Sequence, residues 1–99
     1  MSASARDIEI VRALVLEHLK GRRAKIYLFG SQATGKARRF SDIDVAVLPL
    51  ESLPDATLLD LREALEESDA IRQVDLVNLA DVNEAFRQRV IQEGVLWSG

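Results

Sequence analysis

Apolar residues along the chain follow two different spacings, and each change of spacing marks a change of predicted element. The first apolar series has the spacing of one helix face, which predicts a helix over about residues 6–20. Its members are Ile8, Val11, Leu14, Val15 and Leu19. Ser4 and Asp7 resemble a capping box at the start of this helix, and Gly21 is suited to end it.

Three later apolar runs are short and rich in β-branched or aromatic residues, which is typical of strands. They predict strands over residues 25–29, 42–48 and 73–79. Gly30 ends the first run. Pro49 ends the second, because proline cannot donate a hydrogen bond to a strand ladder.

A second helix is predicted between the second and third strands. Asp55 or Thr57 is suited to cap it, and it extends to about Glu67. Its apolar face consists of Leu58, Leu61 and Leu65.

A third helix is predicted after the last strand. Asp81 and Glu84 have capping-box spacing, and Gly94 closes the helix. Its apolar positions are Val82, Phe86, Val90 and Ile91. The residues that follow, 95–97, fit either a short edge strand or a docking tail.

The predicted order of helix, strand, strand, helix, strand and helix indicates an α+β fold of mixed α/β character. We expect a small mixed β-sheet with helices packed mainly on one face. The 99 residues are predicted to form a single domain, residues 1–99.

Composition narrows the functional classes. The chain is 47% hydrophobic and 29% charged, with no apolar stretch near the ~18 residues that span a bilayer, so no membrane partner is expected. It has no cysteine, which excludes disulfides and thiolate metal sites and agrees with a cytoplasmic protein. The net charge of −3 gives no support for a long footprint on a nucleic-acid backbone.

Two acids, Asp42 and Asp44, stand at the start of the second predicted strand. Side chains two positions apart on a strand point the same way, so these carboxylates share one side and Ile43 is buried on the other. Such close like charges repel unless a cation lies between them, and Mg²⁺ prefers this kind of oxygen ligand. Taken alone, however, a D-x-D is more often a pair of surface acids or part of a turn than a metal site.

Asp75 lies inside the third apolar run, where a lone carboxylate is energetically costly. If this strand lies beside Asp42 and Asp44, three acids converge. A cluster of this kind can hold two metal ions during phosphoryl chemistry.

Gly30 and Ser31 follow the first strand, where a tight turn and the backbone amides after it can bind phosphate. Lys36, Arg38 and Arg39 supply positive charge for a triphosphate. Residues 30–37 also come close to a P-loop, but the final hydroxyl position of that motif is Ala37. No long helix follows either, so we reject the P-loop interpretation.

Taken together, these motifs resemble the minimal nucleotidyltransferases of the DNA polymerase beta-like superfamily. The shared pattern is Gly30-Ser31, ten intervening residues, Asp42-Ile43-Asp44, and Asp75 on a later strand. The resemblance covers nearly the whole chain and implies a palm-like nucleotidyltransferase core. In this chain Gln32 and Thr34 occupy loop positions where arginine is frequent among relatives.

The resemblance implies transfer of a nucleoside monophosphate, AMP from ATP or from another NTP, to a hydroxyl acceptor with release of pyrophosphate. It implies that Asp42, Asp44 and Asp75 are catalytic and bind two Mg²⁺ ions, with Asp75 helping to deprotonate the acceptor. The nucleotide-binding residues are expected to be Gly30, Ser31, Lys36, Arg38, Arg39 and Ser41.

The resemblance further implies a small all-helical partner of the HEPN or substrate-binding type, because the chain has room only for a catalytic core. A hetero-oligomer or a homodimer is expected, with nucleic acid only as an acceptor. The alternative hypotheses are a non-catalytic antitoxin or binding module that neutralises such a partner by contact, and an unrelated small α/β domain.

Overall fold

A computed structural model of the chain describes residues 3–30, 42–69 and 73–98. The helices and strands follow one another in the predicted order, with one further strand at the end, residues 95–98. The elements are α1 (Ala3–His18), β1 (Ala24–Phe29), β2 (Ile43–Pro49), α2 (Asp55–Glu66), β3 (Val74–Asn78), α3 (Glu84–Glu93) and β4 (Val95–Ser98).

The four strands form one mixed sheet in the order β3-β2-β1-β4. β1 is antiparallel to both of its neighbours, β2 and β4, whereas β2 and β3 are parallel. The parallel pair is possible because α2 carries the chain back between the two strands. The predicted mixed sheet is therefore confirmed, and residues 95–98 form an edge strand.

One face of the sheet is covered by α1 and α2. Alternate strand residues point to this face and pack against the apolar stripes of the two helices. The buried members from the strands are Ala24, Ile26, Leu28, Ile43, Val45, Val47 and Leu76, and those from the helices and the residue after α1 are Val11, Val15, Leu19, Leu58, Leu61 and Leu65.

The other face of the sheet is covered by α3. Val90 and Phe86 of this helix pack against the cluster that contains Tyr27 and Ala46. Of the helices in the described residues, two therefore lie on one face and one on the other, which fits the prediction of packing mainly on one face. The third helix lies opposite because Tyr27, Ala46 and Leu79 form a second apolar surface that needs its own cover.

The predicted cap of α2 is wrong. The helix begins at Asp55 with Pro54 in the capping position, and no side chain makes a capping hydrogen bond. Thr57 instead donates its backbone N–H to the Pro54 carbonyl at 3.0 Å. Proline has a fixed φ and lacks an N–H, so it suits the start of a helix without a capping side chain.

The predicted cap of α3 is also displaced. Asn83, not Asp81, is the capping residue, and its side-chain oxygen accepts the backbone N–H of Phe86 at 2.8 Å. Asp81 belongs to the turn after β3, where its N–H donates to the Asn78 carbonyl. At the first helix the cap is likewise misplaced, because α1 already includes Ala3 and Ser4.

Within the described ranges, no helix combines the length and the hydropathy that crossing a bilayer requires.

We predict that Leu61→Ala lowers the free energy of unfolding by about 2–5 kcal/mol, because a fully buried leucine leaves a cavity when it is truncated. Leu59, two residues earlier on α2, is 55% exposed, so Leu59→Ala is the matched control and changes stability by about 0.5 kcal/mol or less. Equilibrium urea unfolding measures both. Similar losses for the two variants would contradict the assignment of the buried helix face.

Candidate active site

The predicted site residues in the described part of the chain meet at one edge of the sheet. β1 ends at this edge, whereas β2 and β3 begin there, as their antiparallel and parallel pairings require. Phe29 is the register partner of Asp44, and Asp44 is the register partner of Asp75. Gly30 follows directly after Phe29.

Asp44 and Asp75 face the same side of the sheet, and Asp42 directly precedes β2. Asp44 and Asp75 are register partners across parallel strands, so the alternation of strand side chains directs both alike. The charge of Asp42 acts on the Asp44 carboxyl, so Asp42 lies near it. Ile43 and Val45, which alternate with these acids, are fully buried on the opposite side. The structure thus places Asp44 and Asp75 side by side with Asp42 nearby; their assignment as catalytic metal ligands stays a prediction.

The electrostatics of this edge centre on Asp44. Burial raises the pKa of the Asp44 carboxyl above its ordinary value, and the nearby charges of Asp75 and Asp42 raise it further. Asp42 and Asp75 are exposed, whereas Asp44 is half-buried between them. A cation bound beside Asp44 would therefore stabilise the ionised form of its carboxyl.

Gly30 makes room for the Asp44 side chain. Its φ is +75°, in the region that residues with a Cβ seldom adopt. A Cβ added at Gly30 would collide with Oδ2 of Asp44 and lie 3.3 Å from its Cγ. The space that a side chain at residue 30 would need is therefore occupied by the side chain of Asp44.

Five of the predicted nucleotide-binding residues fall outside the described residues. They are Ser31, Lys36, Arg38, Arg39 and Ser41. Their phosphate-binding roles stay predictions from the sequence.

The donor set at this edge suits a hard divalent cation in type, since all three side chains are carboxylates. In the part of the chain that the structure describes, however, no three His, Cys, Asp or Glu side chains are grouped so as to hold a metal ion. Mg²⁺ is commonly bound by only one or two carboxylates together with substrate phosphates. The arrangement therefore fits a cation that is bound jointly with a nucleotide better than a closed protein site.

An aromatic pair on the acid-bearing face was not predicted from the sequence. Phe29 and Phe86 meet edge to face, with ring centroids 5.8 Å apart and planes at 88°. Phe29 is also the strand neighbour of Asp44, so the pair gives the acids an apolar border. The available signal was the position of Phe29 two residues after Tyr27 on the same strand face.

The chain belongs to the polymerase beta nucleotidyltransferase family. Residues 17–97 match the family described as "Polymerase beta, Nucleotidyltransferase". This match includes both acid-bearing strands and Gly30, so family membership and the geometry of the sheet edge agree.

Among curated proteins, the chain is similar to the protein adenylyltransferase MntA of Shewanella oneidensis, with 40% identity over 73 residues. That alignment covers 73% of this chain and 52% of the relative. The chain spans about half the length of the curated relatives it matches.

Two solved structures have closely similar folds. A chain of a toxin–antitoxin crystal structure with AMP-PNP is 32% identical, with a TM-score of 0.69, covering 89% of this chain and 73% of that chain. A chain from the complex of tri-AMPylated Shewanella oneidensis HEPN toxin with MNT antitoxin is 28% identical, with a TM-score of 0.65. That match covers 98% of this chain and 72% of the other.

We predict that Asp44→Asn stabilises the protein at pH 7 in the absence of divalent cations. A carboxyl whose folded pKa is raised destabilises the fold once it ionises, so this penalty grows as the pH rises through the raised pKa. Since the acids are partly exposed, we expect a gain in Tm of about 1–5 °C. Below the ordinary pKa of 3.8 the gain should disappear, because Asp44 is then protonated in both states.

Thermal unfolding in EDTA between pH 3 and pH 8 measures this difference. Asp60→Asn, which removes one exposed charge from α2, is the control for net charge. A gain that persists in acid, or an equal gain for the control, would refute the explanation by local repulsion.

A second prediction concerns Gly30. Gly30→Ala and Gly21→Ala both force alanine into positive φ, which costs about 1–2 kcal/mol each. Only the Gly30 variant also collides with Asp44, since nothing lies within 4 Å of a Cβ at Gly21. We therefore expect Gly30→Ala to be the more destabilising variant.

A double-mutant cycle with Asp44→Ala isolates the collision, because the truncated side chain no longer carries the oxygen that the new methyl group meets. The extra cost of Gly30→Ala over Gly21→Ala should shrink in that background. An unchanged difference would show that the Gly30 effect does not pass through Asp44.

Proposed function

We propose that this chain is the catalytic domain of a protein adenylyltransferase that transfers AMP from ATP to a hydroxyl of a small all-helical HEPN-type partner. The observation that carries the proposal is that Asp44 and Asp75 are register partners on two parallel strands, with the charge of Asp42 close to Asp44. Membership in the nucleotidyltransferase family gives that placement its chemical meaning.

The choice of AMP and of a protein acceptor is supported by the relatives. The similar protein of Shewanella oneidensis is named a protein adenylyltransferase, and one structural neighbour contains a tri-AMPylated HEPN toxin. Another neighbour contains AMP-PNP, which differs from ATP at the bridge between its last two phosphates.

In the proposed reaction, the acceptor hydroxyl oxygen forms a bond to the α-phosphorus of ATP. The bond between that phosphorus and the oxygen bridging to the β-phosphate breaks, and pyrophosphate leaves with the electron pair. The hydroxyl proton passes to a base, and Asp75 is the acid we assign to this role because it is exposed at the rim of the site.

Asp42 and Asp44 are the residues we assign to hold Mg²⁺, with Asp75 sharing one ion. Bound Mg²⁺ would neutralise charge on the triphosphate and on departing pyrophosphate. Asp44 is fixed by the sheet, by burial and by its contact with the Gly30 turn, so it sets the position of the acids relative to the nucleotide. Ser31, Lys36, Arg38, Arg39 and Ser41 are the proposed phosphate-binding residues.

The test is a labelling assay in which a purified small all-helical HEPN-type protein is the acceptor. We expect label from α-labelled ATP, but not from γ-labelled ATP, to appear on that protein when Mg²⁺ is present. Asp42→Ala/Asp44→Ala should abolish transfer, and Asp75→Asn should slow it by about 100-fold or more, as for loss of a general base. Asp60→Asn is the control acid on α2.

Transfer that survives the double variant, or label that comes only from the γ position, would overturn the proposal. If no label is transferred but both the wild type and the double variant neutralise the partner, the function is an antitoxin that acts by contact alone. Mass spectrometry of the partner locates any AMP group and checks that it is bound through a hydroxyl.

A further inference from the structure

The helix α1 carries an acid in its buried stripe. Asp7, Val11, Val15 and Leu19 follow one another at intervals of four residues, so they lie along one side of the helix and its last turn. All four are buried, and Asp7 has 0% exposure. The last three belong to the apolar cluster between the sheet and the helices α1 and α2, whereas the position nearest the start of the helix holds a carboxylate. Aspartate is almost never buried completely unless its charge has partners.

The neighbouring arginine does not account for this burial. Nη1 of Arg6 lies 3.7 Å from Oδ1 of Asp7, beyond the length of a hydrogen bond, and the Arg6 side chain is 56% exposed. An ion pair with such an exposed partner contributes little. Ile8, the next residue along the helix, packs against the apolar cluster. The burial of Asp7 therefore requires hydrogen-bond donors other than Arg6.

The direction of α1 places Asp7 at the same end of the sheet as the acids. The helix and β1 are joined by the short segment 19–23, so they run in roughly opposite directions. Asp7 lies 12 residues before Leu19, which corresponds to about 18 Å along a helix. Gly30 lies six residues after Ala24, which corresponds to about 20 Å along a strand. Asp7 and Gly30 are therefore at a similar distance from the connecting segment.

The helix α1 also lies over β1 itself. Its residues share a cavity of about 450 Å³ with Ala24 and Ile26 of β1 and with Ser98 of β4. The helix α2, which connects β2 to β3, covers the other half of this face. Among the described residues, the end of β1 at Gly30 is therefore the part of the sheet that Asp7 approaches.

The backbone leaves the sheet at this point. The last register pairs of β1 are Leu28 with Val95 and Phe29 with Asp44, so both ladders end before Gly30. Backbone N–H groups at the turn therefore take hydrogen-bond acceptors from outside the ladders. A carboxylate buried behind a turn can accept several N–H groups, and bonds to a charged acceptor are stronger than those between neutral groups.

We propose that Asp7 is a positioning residue whose buried carboxylate holds the turn at Gly30 by accepting backbone N–H groups from it. Its importance for nucleotide binding rests on the proposed function, in which Gly30 and the residues after it bind the phosphates of ATP. Asp7 touches neither the nucleotide nor the acceptor, and acts by fixing the backbone from behind. It precedes residues 17–97, which match the nucleotidyltransferase family, so its position is not part of that family pattern.

The first experiment observes the turn without nucleotide or partner. Phe29-Gly30 is the only Phe-Gly pair in the sequence, so labelling phenylalanine carbonyls with ¹³C and glycine amides with ¹⁵N identifies the Gly30 amide by NMR. We expect Asp7→Asn, which keeps the shape of the side chain but not its charge, to shift this signal and to speed its hydrogen exchange about tenfold. The Gly21 amide, at the other end of α1, should change in neither respect. Glu9→Gln, at an exposed position of α1, is the matched control for charge.

A competing explanation is that Asp7 only stabilises the first turns of α1 through their N–H groups. Asp7→Asn would then lower the Tm and leave the Gly30 signal unchanged. Asp7→Val continues the valines of the buried stripe and is the second variant if the amide is not tolerated. It should perturb Gly30 in the same way. An unchanged Gly30 signal in a folded variant, or loss of the fold in both variants, overturns the proposal.

The second experiment tests the link to phosphate binding. Isothermal titration with Mg²⁺ and without an acceptor protein compares ATP with AMP, which lacks the two outer phosphates. We expect Asp7→Asn to weaken ATP binding about tenfold and AMP binding less than about twofold. Equal losses for the two nucleotides, or no loss for ATP, overturn the phosphate role. If the wild type binds no ATP, the proposed function fails, and the Gly30 signal still decides whether Asp7 holds the turn.

Discussion

The repulsion between carboxylates held side by side by the parallel pairing of β2 and β3 is the constraint on which the rest of the molecule depends. Asp44 and Asp75 are register partners, so the backbone ladder fixes how far their strands can separate. Burial and the charges of Asp75 and Asp42 together raise the pKa of the Asp44 carboxyl. The fold tolerates this arrangement because the opposite side of the same strands is a continuous apolar core, with Ile43, Val45 and Val47 fully buried against α1 and α2.

The two faces of the sheet therefore have different roles. Packing of α1 and α2 buries the larger of the two apolar clusters, whereas α3 covers the smaller one, on the face from which Asp44 and Asp75 project. Phe29 and Phe86 mark the boundary on that face between apolar packing and the acid-bearing edge. Such a division lets a small domain keep charged groups partly shielded from water without burying them in its main core.

Much of this organisation could be predicted from the sequence, because strand alternation alone places Asp42 and Asp44 on one side and Ile43 on the other. The sequence could not place Asp75 beside Asp44, because residues 73–79 alone do not determine which strand pairs with the one they form. The helix caps were misplaced because several polar residues near each helix start could serve, and only the backbone path selects Asn83 over Asp81.

The parallel register also limits how the chain can vary. A shift of β3 by a single residue would turn Asp75 toward the apolar core and expose Leu76, because side chains alternate along a strand. Insertions and deletions in β2 or β3 are therefore expected to be excluded, whereas the connections between elements are free to change in length. We therefore expect homologous chains that retain Asp44 and Asp75 as neighbours to retain the register of β2 and β3 as well, even where their loops differ in length.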